Sequence, residues 1–270
     1  MSDISPPRTL PARFERASPL RFVLLVACAA AIISSIHGSQ ISISALVDGL
    51  PQIGRLVGDM FPPDISRLPV ILLRLLETFQ MALAGTFIGI ILSLPIAVLA
   101  TRDFSPHPVV RFLTKGLVSF CRTIPDLIWA LIFVVAVGLG PFAGTLAIIV
   151  DTIGFCGRFF AEAMEDVEKG PQEALTALGA SRTDIIASAV VPGAMPAMIA
   201  TGLFSLEKAT RGSVVLGIVG AGGIGVELQV ALDLFNYAQA ATIIFVIFVL
   251  VLAVEQVGSA LRARILVSGK

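Results

Sequence analysis

The sequence predicts an all-α integral membrane protein with about six membrane-spanning helices. Apolar residues make up 56% of the 270 residues, charged residues only 14%, and the mean hydropathy is +0.93. A soluble domain usually carries about 25% charged residues, so this chain has too little polar surface to face water on all sides. Its length can hold several spans of about 20 residues each, together with their connecting loops.

Six apolar runs are the predicted spans. They cover residues 20–36, 78–100, 127–140, 142–161, 193–205 and 241–260. A Gly138-Leu139-Gly140-Pro141 cluster separates the third run from the fourth, and because clusters of glycine and proline interrupt helices, these two spans should form a tight hairpin. In the second span, Gly85 and Gly89 have the four-residue spacing of small residues that lets helices pack closely.

Basic residues are concentrated on one side of this six-span arrangement, which predicts the orientation. That side holds 14 of the 19 lysines and arginines: Arg8, Arg13, Arg16, Arg21, Arg102, Arg111, Lys115, Arg122, Arg158, Lys169, Arg182, Arg262, Arg264 and Lys270. The opposite side holds Arg55, Arg67, Arg74, Lys208 and Arg211. Because lysine and arginine favour the cytoplasmic face, both termini are predicted to be cytoplasmic in a multi-pass protein of the bacterial inner membrane.

The chain is predicted to divide into four parts. Residues 1–19 form a cytoplasmic tail, residues 20–73 the first span and an extracytoplasmic connection, residues 74–264 the transmembrane core, and residues 265–270 a C-terminal tail. The run from Leu20 stays apolar for about 17 residues, the lower limit for a span, which favours a signal anchor over a cleaved signal peptide. Membrane lipid should therefore surround most of the chain.

Several residue types that often carry chemistry are not arranged for it here. The three cysteines, Cys28, Cys121 and Cys156, are scattered, which predicts buried thiols and neither a disulfide framework nor a metal site. His37 and His107 lie outside the spans and far apart, so they are not expected to bind a metal. The formal net charge of zero gives no indication of nucleic-acid binding.

A glycine run resembles a nucleotide-binding motif but lacks its context. Gly220-x-Gly222-x-x-Gly225 fits the dinucleotide fingerprint, which needs a βαβ unit and an acidic residue about 20 residues further on. That distance falls in the apolar run 241–260. We therefore expect Gly220, Gly222, Gly223 and Gly225 to form a bend at the outer membrane face. The sequence also has no Walker A motif, since no Gly-Lys pair is followed by Ser or Thr, so ATP hydrolysis by that route is not expected.

The segment 161–192 carries the local signals of three helices separated by two stops. The first helix should continue from the fourth span to Gly170, a residue suited to end a helix. Pro171 and Glu173 suit the first turn of a second helix, and Gly179 should end it. Ser181 and Asp184 have the spacing of a capping box that starts the third. The middle helix, residues 172–178, is too short to be stable alone, so its apolar stripe of Ala174, Leu175 and Leu178 must dock either on this chain or in the groove of a partner.

This segment resembles the EAA signature of binding-protein-dependent ABC importer permeases. In that signature E-A-A is followed by three residues, a glycine, nine residues and I-x-L-P. Glu173, Ala174, Gly179 and Pro192 match it at the same spacing, whereas Leu175, Ala189 and Val191 replace the second alanine, the isoleucine and the leucine. The stretches 122–129 and 217–225 further resemble the phosphonate importer branch of the family, although methionine importers carry a similar glycine run. The likeness covers residues 74–264.

The resemblance implies a type I permease fold and a set of partners. Residues 161–192 would be the coupling loop, whose short helix docks in a cleft of a cytoplasmic ABC ATPase. Two ATPase subunits would use ATP and Mg, and no cofactor would be bound by this chain. An extracytoplasmic binding protein would deliver the solute, and a second permease copy, most simply in a homodimer, would complete the pore. The implied cargo is a phosphonate, with phosphite or another small solute such as methionine as alternatives.

Three charged residues are candidates for the transport pathway. Asp151 falls near the middle of the fourth span, where a carboxylate is costly and should face the bundle interior or water. Arg158 is seven residues further on, about 10.5 Å along the helix, and so too distant for an easy direct pair. Lys208 and Arg211, at the end of the fifth span, could contact an anion, or Arg211 could simply pair with Glu207 four residues before it.

Two other classes of protein were weighed against a permease. An intramembrane enzyme needs a dyad, a triad or a metal cluster within the spans, and Asp151 stands alone there among aspartates and histidines. A membrane scaffold without transport could keep a docking helix, yet it would need neither the glycine-rich bend nor a charge in mid-span. The sequence therefore favours a non-catalytic pore subunit.

Overall fold

The computed structural model describes residues 19–40 and 42–268, with side chains up to residue 265, and every element in this part of the chain is helical. The predicted N-terminal tail, apart from Pro19, lies outside these residues. The chain divides into two compact units, Met1–Leu56 and Val57–Lys270. Eleven α-helices are assigned over the described ranges: α1 Pro19–Gly38, α2 Ile43–Asp59, α3 Leu68–Ala100, α4 Pro108–Thr123, α5 Asp126–Val137, α6 Pro141–Glu165, α7 Lys169–Ala177, α8 Arg182–Ile185, α9 Val191–Ile218, α10 Ile224–Asp233 and α11 Tyr237–Ser268.

The first span is present as α1, a 20-residue helix whose side chains are all exposed within its unit. The connection predicted after it contains α2, a 17-residue helix that includes Pro51. Apolar side chains recur along α2 at helical spacing, at Ile43, Leu46, Leu50 and Ile53, which is the pattern of an amphipathic helix. This helix was not among the predicted elements.

In the larger unit, α6 lies at the centre and packs against α3, α4, α5 and α9. Its contact with α3 depends on two small residues. A Cβ atom added at Gly85 would lie 2.7 Å from the Ile148 side chain, and one at Gly89 would lie 2.5 Å from that of Thr152. Since real Cβ atoms do not approach so closely, the backbones can meet here only through glycine, and the predicted small-residue packing is confirmed.

Five helices are long and apolar enough to cross a membrane, and a sixth span is obtained when α4 and α5 are counted as one broken span. The third span was predicted as a single run, 127–140, which is wrong. With only 12 residues, α5 is about 18 Å long and cannot cross a bilayer alone. It meets α4 at an angle of 91°. The break falls at Ile124-Pro125, because proline forces the residue before it out of helical geometry, and Ile124 has an extended backbone.

The remaining predicted spans are too short by comparison with the structure. The helix that includes residues 78–100 begins at Leu68, the one that includes 241–260 runs from Tyr237 to Ser268, and the predicted fifth span, 193–205, lies within a continuous helical stretch from Arg182 to Ile218. The fifth span was predicted to end at Ser205, where polar residues follow. They do not end it, because their charges are paired inside the bundle, as described below.

Candidate coupling loop, intramembrane charges and glycine turn

Local hydrogen bonds fix the two ends of the short helix α7. At its carboxyl end Gly179 has a positive φ of 77°, its N–H donates to the Thr176 carbonyl at 3.0 Å, and the Ala180 N–H donates to the Leu175 carbonyl at 3.0 Å. These two bonds and the left-handed residue between them form a Schellman motif, in which glycine is favoured because it has no Cβ. The predicted helix stop at Gly179 is confirmed.

The capping box that starts the next helix is also confirmed. The Asp184 N–H donates to Ser181 Oγ at 3.3 Å, and the Ser181 N–H donates to Asp184 Oδ2 at 3.1 Å. The helix then passes through a π-helical segment, Ile186–Val190, directly before α9. Pro192 is the second residue of α9, directly after the π-helical segment. No sequence signal pointed to the π-helical segment.

The structure corrects the start of α7. Gly170 was predicted to end the preceding helix, but α6 ends at Glu165 and Gly170 is the second residue of α7, with Pro171 following it. The connection between the two helices is only three residues long. Proline fits this position because the N–H groups of a first helical turn have no partner within the helix.

The apolar stripe of α7 is not covered by its own unit. No residue of α7 is buried, Ala174 is exposed, Leu175 is half-buried, and Leu178 is 84% exposed. Glu173 in the same helix is also exposed and forms no ion pair with the rest of the described chain. The helix therefore presents an apolar and acidic surface that its own unit leaves free.

The mid-span charges form three ion pairs, two of which share Glu207. Lys208 Nζ lies 2.7 and 2.8 Å from the two carboxylate oxygens of Asp151, which joins α9 to α6. Glu207 is almost fully buried and accepts from Arg211 at 3.2 Å and from Arg262 of α11 at 3.1 Å. The predicted Glu207–Arg211 pair is therefore present, whereas the Asp151–Lys208 pair was missed because residues 57 positions apart carry no local signal.

We call the five residues of these ion pairs the mid-span cluster: Asp151, Glu207, Lys208, Arg211 and Arg262. The cluster corrects the predicted location of three basic residues. Lys208 and Arg211 were counted in an outer connection and Arg262 in the C-terminal tail, but all three lie within long helices. The separation of Arg158 from Asp151 is supported, since Arg158 pairs with Glu162 at 2.6 Å. The cluster contains three cations, Lys208, Arg211 and Arg262, and two carboxylates, so it carries one surplus positive charge. The Arg211 side chain is 45% exposed.

The glycine run forms a turn between α9 and α10, which we call the glycine turn (residues 220–225). Gly220, Gly222 and Gly223 have positive φ angles of 85°, 85° and 77°. A Cβ at Gly222 would lie 2.6 Å from the backbone of Pro141, and one at Gly225 would collide with the Val214 carbonyl oxygen. The apolar run before the turn lies in α9 and is not a strand, so the dinucleotide motif lacks its required context and the predicted bend is present.

Two side chains of α3 hold the amino end of α10. Thr78 Oγ1 accepts from the Ile224 N–H at 2.7 Å, and Glu77 Oε1 accepts from the Gly223 N–H at 3.1 Å. The Gly140 N–H donates to the Gly220 carbonyl at 3.0 Å, so the α5–α6 hairpin also contacts the glycine turn. These contacts join parts of the chain that are distant in sequence, and sequence reasoning missed them.

The cysteines and histidines are not gathered into a site. Cys121 and Cys156 are buried as predicted, but Cys28 is exposed, because the whole surface of α1 is uncovered within its unit. His107 starts α4, where its Nδ1 accepts from the Val109 N–H at 3.1 Å. Among the described residues, no group of three or more His, Cys, Asp or Glu side chains could hold a metal ion. The candidate residues thus lie in three places: the coupling loop, the mid-span cluster and the glycine turn.

These features define a helical membrane permease, and comparison with known proteins gives the same class. Residues 85–266 match the family of binding-protein-dependent transport system inner membrane components. The chain belongs to this family, and it is a multi-pass membrane subunit of the ABC transporter type with the type I importer permease fold.

Relatives in this family have names that refer to phosphorus oxyanions. The chain is 41% identical over 227 residues to the putative phosphite transport system permease protein HtxC of Stutzerimonas stutzeri, covering 84% of this chain and 80% of that protein. It is 40% identical over 223 residues to the phosphate-import permease protein PhnE of Mycolicibacterium smegmatis, covering 83% of this chain and 42% of that protein. Among solved structures, an inward-facing form of the methionine ABC transporter MetNI is similar in fold, with a TM-score of 0.66 and 24% identity over 74% of this chain and 98% of that one.

Proposed function

We propose that this chain is one of two permease subunits of an ATP-driven importer of small phosphorus oxyanions, and that α7 is its coupling helix. The observation that carries the proposal is the exposed apolar stripe on α7. A helix of nine residues is unstable alone in water, and Leu178 is left 84% exposed although the residues around it are tied down by a Schellman motif and a capping box. A groove on a partner would cover this side chain.

The proposed partners follow from the family and from this exposed helix. Two cytoplasmic ATPase subunits, which bind ATP and Mg, would dock below the coupling loops of two permease copies. A binding protein on the other face would deliver the solute, and the termini would be cytoplasmic. This chain would bind no cofactor and no nucleic acid and would hydrolyse no ATP. ATP-driven closure of the ATPases would move the coupling helices and switch the pore from inward-facing to outward-facing.

The proposed cargo is a phosphonate, and phosphite is the second candidate. The phosphonate assignment is supported by the stretches 122–129 and 217–225, whereas the name of the relative HtxC favours phosphite. All these anions present phosphorus-bound oxygens, which arginine and lysine bind by charge-assisted hydrogen bonds. Methionine is a weaker candidate, because the identity to the probable D-methionine transport system permease protein MetI of Vibrio cholerae is 30% over 199 residues, below the 41% to HtxC.

Substrate-stimulated ATP hydrolysis tests both the transport function and the cargo. The permease is to be reconstituted in proteoliposomes with its ATPase and binding protein, and hydrolysis measured with methylphosphonate, phosphite, phosphate or methionine. We expect stimulation by a phosphorus oxyanion and none by methionine. A chain that binds the ATPase but whose complex shows neither uptake nor stimulation with any of these solutes would be a scaffold.

Cysteine labelling tests the orientation. In a variant without native cysteines, a single cysteine at Asp59 should react with an impermeant maleimide added outside intact cells. A cysteine at Gly170 should react only after the membrane is opened. The reverse pattern of labelling would contradict the orientation and place α7 on the wrong face for an ATPase.

A further inference from the structure

A polar pocket of about 190 Å³ lies between α4 and α6, near the carboxyl end of α6. Three of its polar side chains come from α4, where their spacing of four and three residues puts them on one face of the helix. The other three come from α6. The six side chains are those of Lys115, Ser119, Arg122, Arg158, Glu162 and Glu165. None of them lies in α7 or belongs to the mid-span ion pairs.

The charges in this pocket do not balance. Arg158 Nε donates to Glu162 at 2.6 Å, and Lys115 Nζ lies 3.9 Å from Glu165, which also accepts from the Arg102 N–H at 2.8 Å. Each of the two carboxylates therefore already has a cationic partner. The Arg122 side chain forms no ion pair or hydrogen bond with any other residue in the described ranges. Its guanidinium is the surplus cation of the pocket.

The backbone of Arg122 is held firmly against α6. A Cβ atom added at Gly154 would lie 2.8 Å from Arg122 Cγ and 3.0 Å from its backbone nitrogen. The absence of a side chain at Gly154 thus lets the end of α4 rest directly on α6. The Arg122 side chain is exposed, so a ligand can reach its guanidinium while its backbone stays against α6. The two terminal nitrogens of Arg158 also make no hydrogen bond within the part of the chain that is described.

We propose that this pocket binds a phosphorus oxyanion group through Arg122, with Arg158 and the Ser119 hydroxyl as further donors. The planar guanidinium offers paired N–H groups that match two oxygens on one phosphorus, and the surplus positive charge matches a monoanion. The same chemistry is present in a free phosphate-type anion and in the phosphodiester of an anionic lipid, which basic pockets between membrane helices bind. This inference concerns binding alone and does not require that the chain transports phosphonate.

The first test measures anion binding by the purified permease–ATPase complex, without binding protein and without nucleotide. Radiolabelled inorganic phosphate is the probe. Arg122→Gln should weaken its binding by about tenfold or more, because a charge-assisted pair of hydrogen bonds is lost. Arg111→Gln is the matched control, since Arg111 lies on the same helix outside the pocket, and it should leave the affinity unchanged. Phosphate that binds to the ATPase contributes equally in all the complexes, so a difference between variants reports on the permease.

The second test distinguishes a lipid headgroup from a free anion. The complex is placed in nanodiscs that contain phosphatidylcholine with or without phosphatidylglycerol, and the phosphatidylglycerol retained per permease is counted by native mass spectrometry. Saturable phosphate binding that Arg122→Gln weakens assigns the site to a free oxyanion. Phosphatidylglycerol retention that Arg122→Gln lowers, without phosphate binding, assigns it to the headgroup.

Equal phosphate binding and equal lipid retention in the unmodified complex and in Arg122→Gln would overturn the proposal. If Arg122→Gln fails to assemble with the ATPase, Arg122→Lys and Ser119→Ala replace it. The first keeps the charge but loses the paired N–H geometry, and the second removes one donor, so each should weaken binding severalfold. Because no ATP is turned over, a permease that is inactive in transport can still pass these tests.

Discussion

The coupling loop and the glycine turn both depend on glycines with positive φ, yet their surroundings are opposite. Nothing lies within 4 Å of a Cβ added at Gly179, and the bonds that stabilise this end of α7 come from residues three to five positions away. At the glycine turn, added Cβ atoms would meet backbone at Gly222 and Gly225, and the stabilising contacts come from α3 and from the α5–α6 hairpin. One turn is exposed and self-contained, whereas the other is buried and held by distant parts of the chain.

This difference predicts different effects for substitutions at the two turns. A side chain added at an exposed glycine of positive φ strains only the local backbone, so it should change what docks there without unfolding the protein. A side chain added inside the glycine turn must displace packed backbone, so it should unfold the bundle around it. Substitutions at the two turns should therefore give folded but uncoupled protein in one case and poorly folded protein in the other.

The largest effect is expected at Gly225. Gly225→Ala would place a methyl group against the Val214 carbonyl oxygen and 2.9 Å from the Gly217 Cα, and overpacking of this kind costs roughly 3 kcal/mol. The thermal unfolding midpoint in detergent and the yield of monodisperse protein should both fall sharply. Gly116→Ala is the control, because its added methyl meets nothing within 4 Å. Equal unfolding midpoints for the two variants would show that the glycine turn adjusts freely.

The next effect is a loss of transport without a loss of fold. Glu173→Ala combined with Gly179→Asp removes an exposed carboxylate from α7, which begins at Lys169 so that Glu173 lies beyond its first turn. It also puts a side chain at a left-handed residue, a strain of about 1–2 kcal/mol. We expect normal membrane insertion but failed ATPase docking or uncoupled hydrolysis, measured by co-purification and uptake. Gly170→Ala, in the same helix without a positive φ, should retain transport. Wild-type uptake by the double variant would remove the main support for α7 as the coupling helix.

A smaller effect is expected at the Asp151–Lys208 pair, another contact between distant residues. Asp151→Asn and Lys208→Met should each lower the unfolding free energy by about 2 kcal/mol, and the double variant by less than their sum, because each single change leaves one charge without its partner. Asp151→Leu should disturb transport more than Val135→Leu at a position whose side chain is 87% exposed. Strict additivity of the two single changes would mean that the pair contributes nothing.

The smallest effect is expected at Thr78, which holds the Ile224 N–H. Thr78→Val keeps the shape of the side chain but leaves that buried N–H without its acceptor, at a cost of about 1 kcal/mol. Thr145→Val is matched to it, because the Thr145 hydroxyl donates only to a carbonyl four residues before it in the same helix. The unfolding midpoint should fall more for Thr78→Val. A similar fall for both variants would make the contact between α3 and the glycine turn unimportant for stability.

The contacts that the sequence predicted join neighbouring residues, and those that it did not predict join distant ones. The stop at Gly179 and the capping box of Ser181 and Asp184 involve neighbours in sequence, and both were predicted. Gly170 was placed wrongly, because a glycine is compatible with the first turn of a helix as well as with its end. The roles assigned to these residues in coupling stay predictions until transport is measured.

The wrongly predicted span boundaries result from contacts between residues that are distant in sequence. The fifth span was ended at Ser205 because Glu207, Lys208 and Arg211 looked like a membrane boundary. Their partners, Asp151 and Arg262, come from other helices, and once the charges are paired the helix can continue through them. Counted as one span, α4 and α5 have a break that was missed for a related reason. Non-helical backbone is tolerated at membrane depth only where the rest of the protein buries it, and the residues that bury it are distant in sequence.

The stretch from Arg182 to Ile218 is helical throughout, with one π-helical segment and two prolines, and its length has a mechanical consequence. Its 37 residues make a rod about 55 Å long, with the coupling loop at one tip and the glycine turn at the other. No loop between them can absorb a movement as slack. By simple leverage, a tilt of about 5° pivoted at one tip carries the other sideways by about 5 Å, close to the rise of one helical turn. A small change of tilt at the exposed end thus becomes a sideways displacement of several ångströms at the buried one.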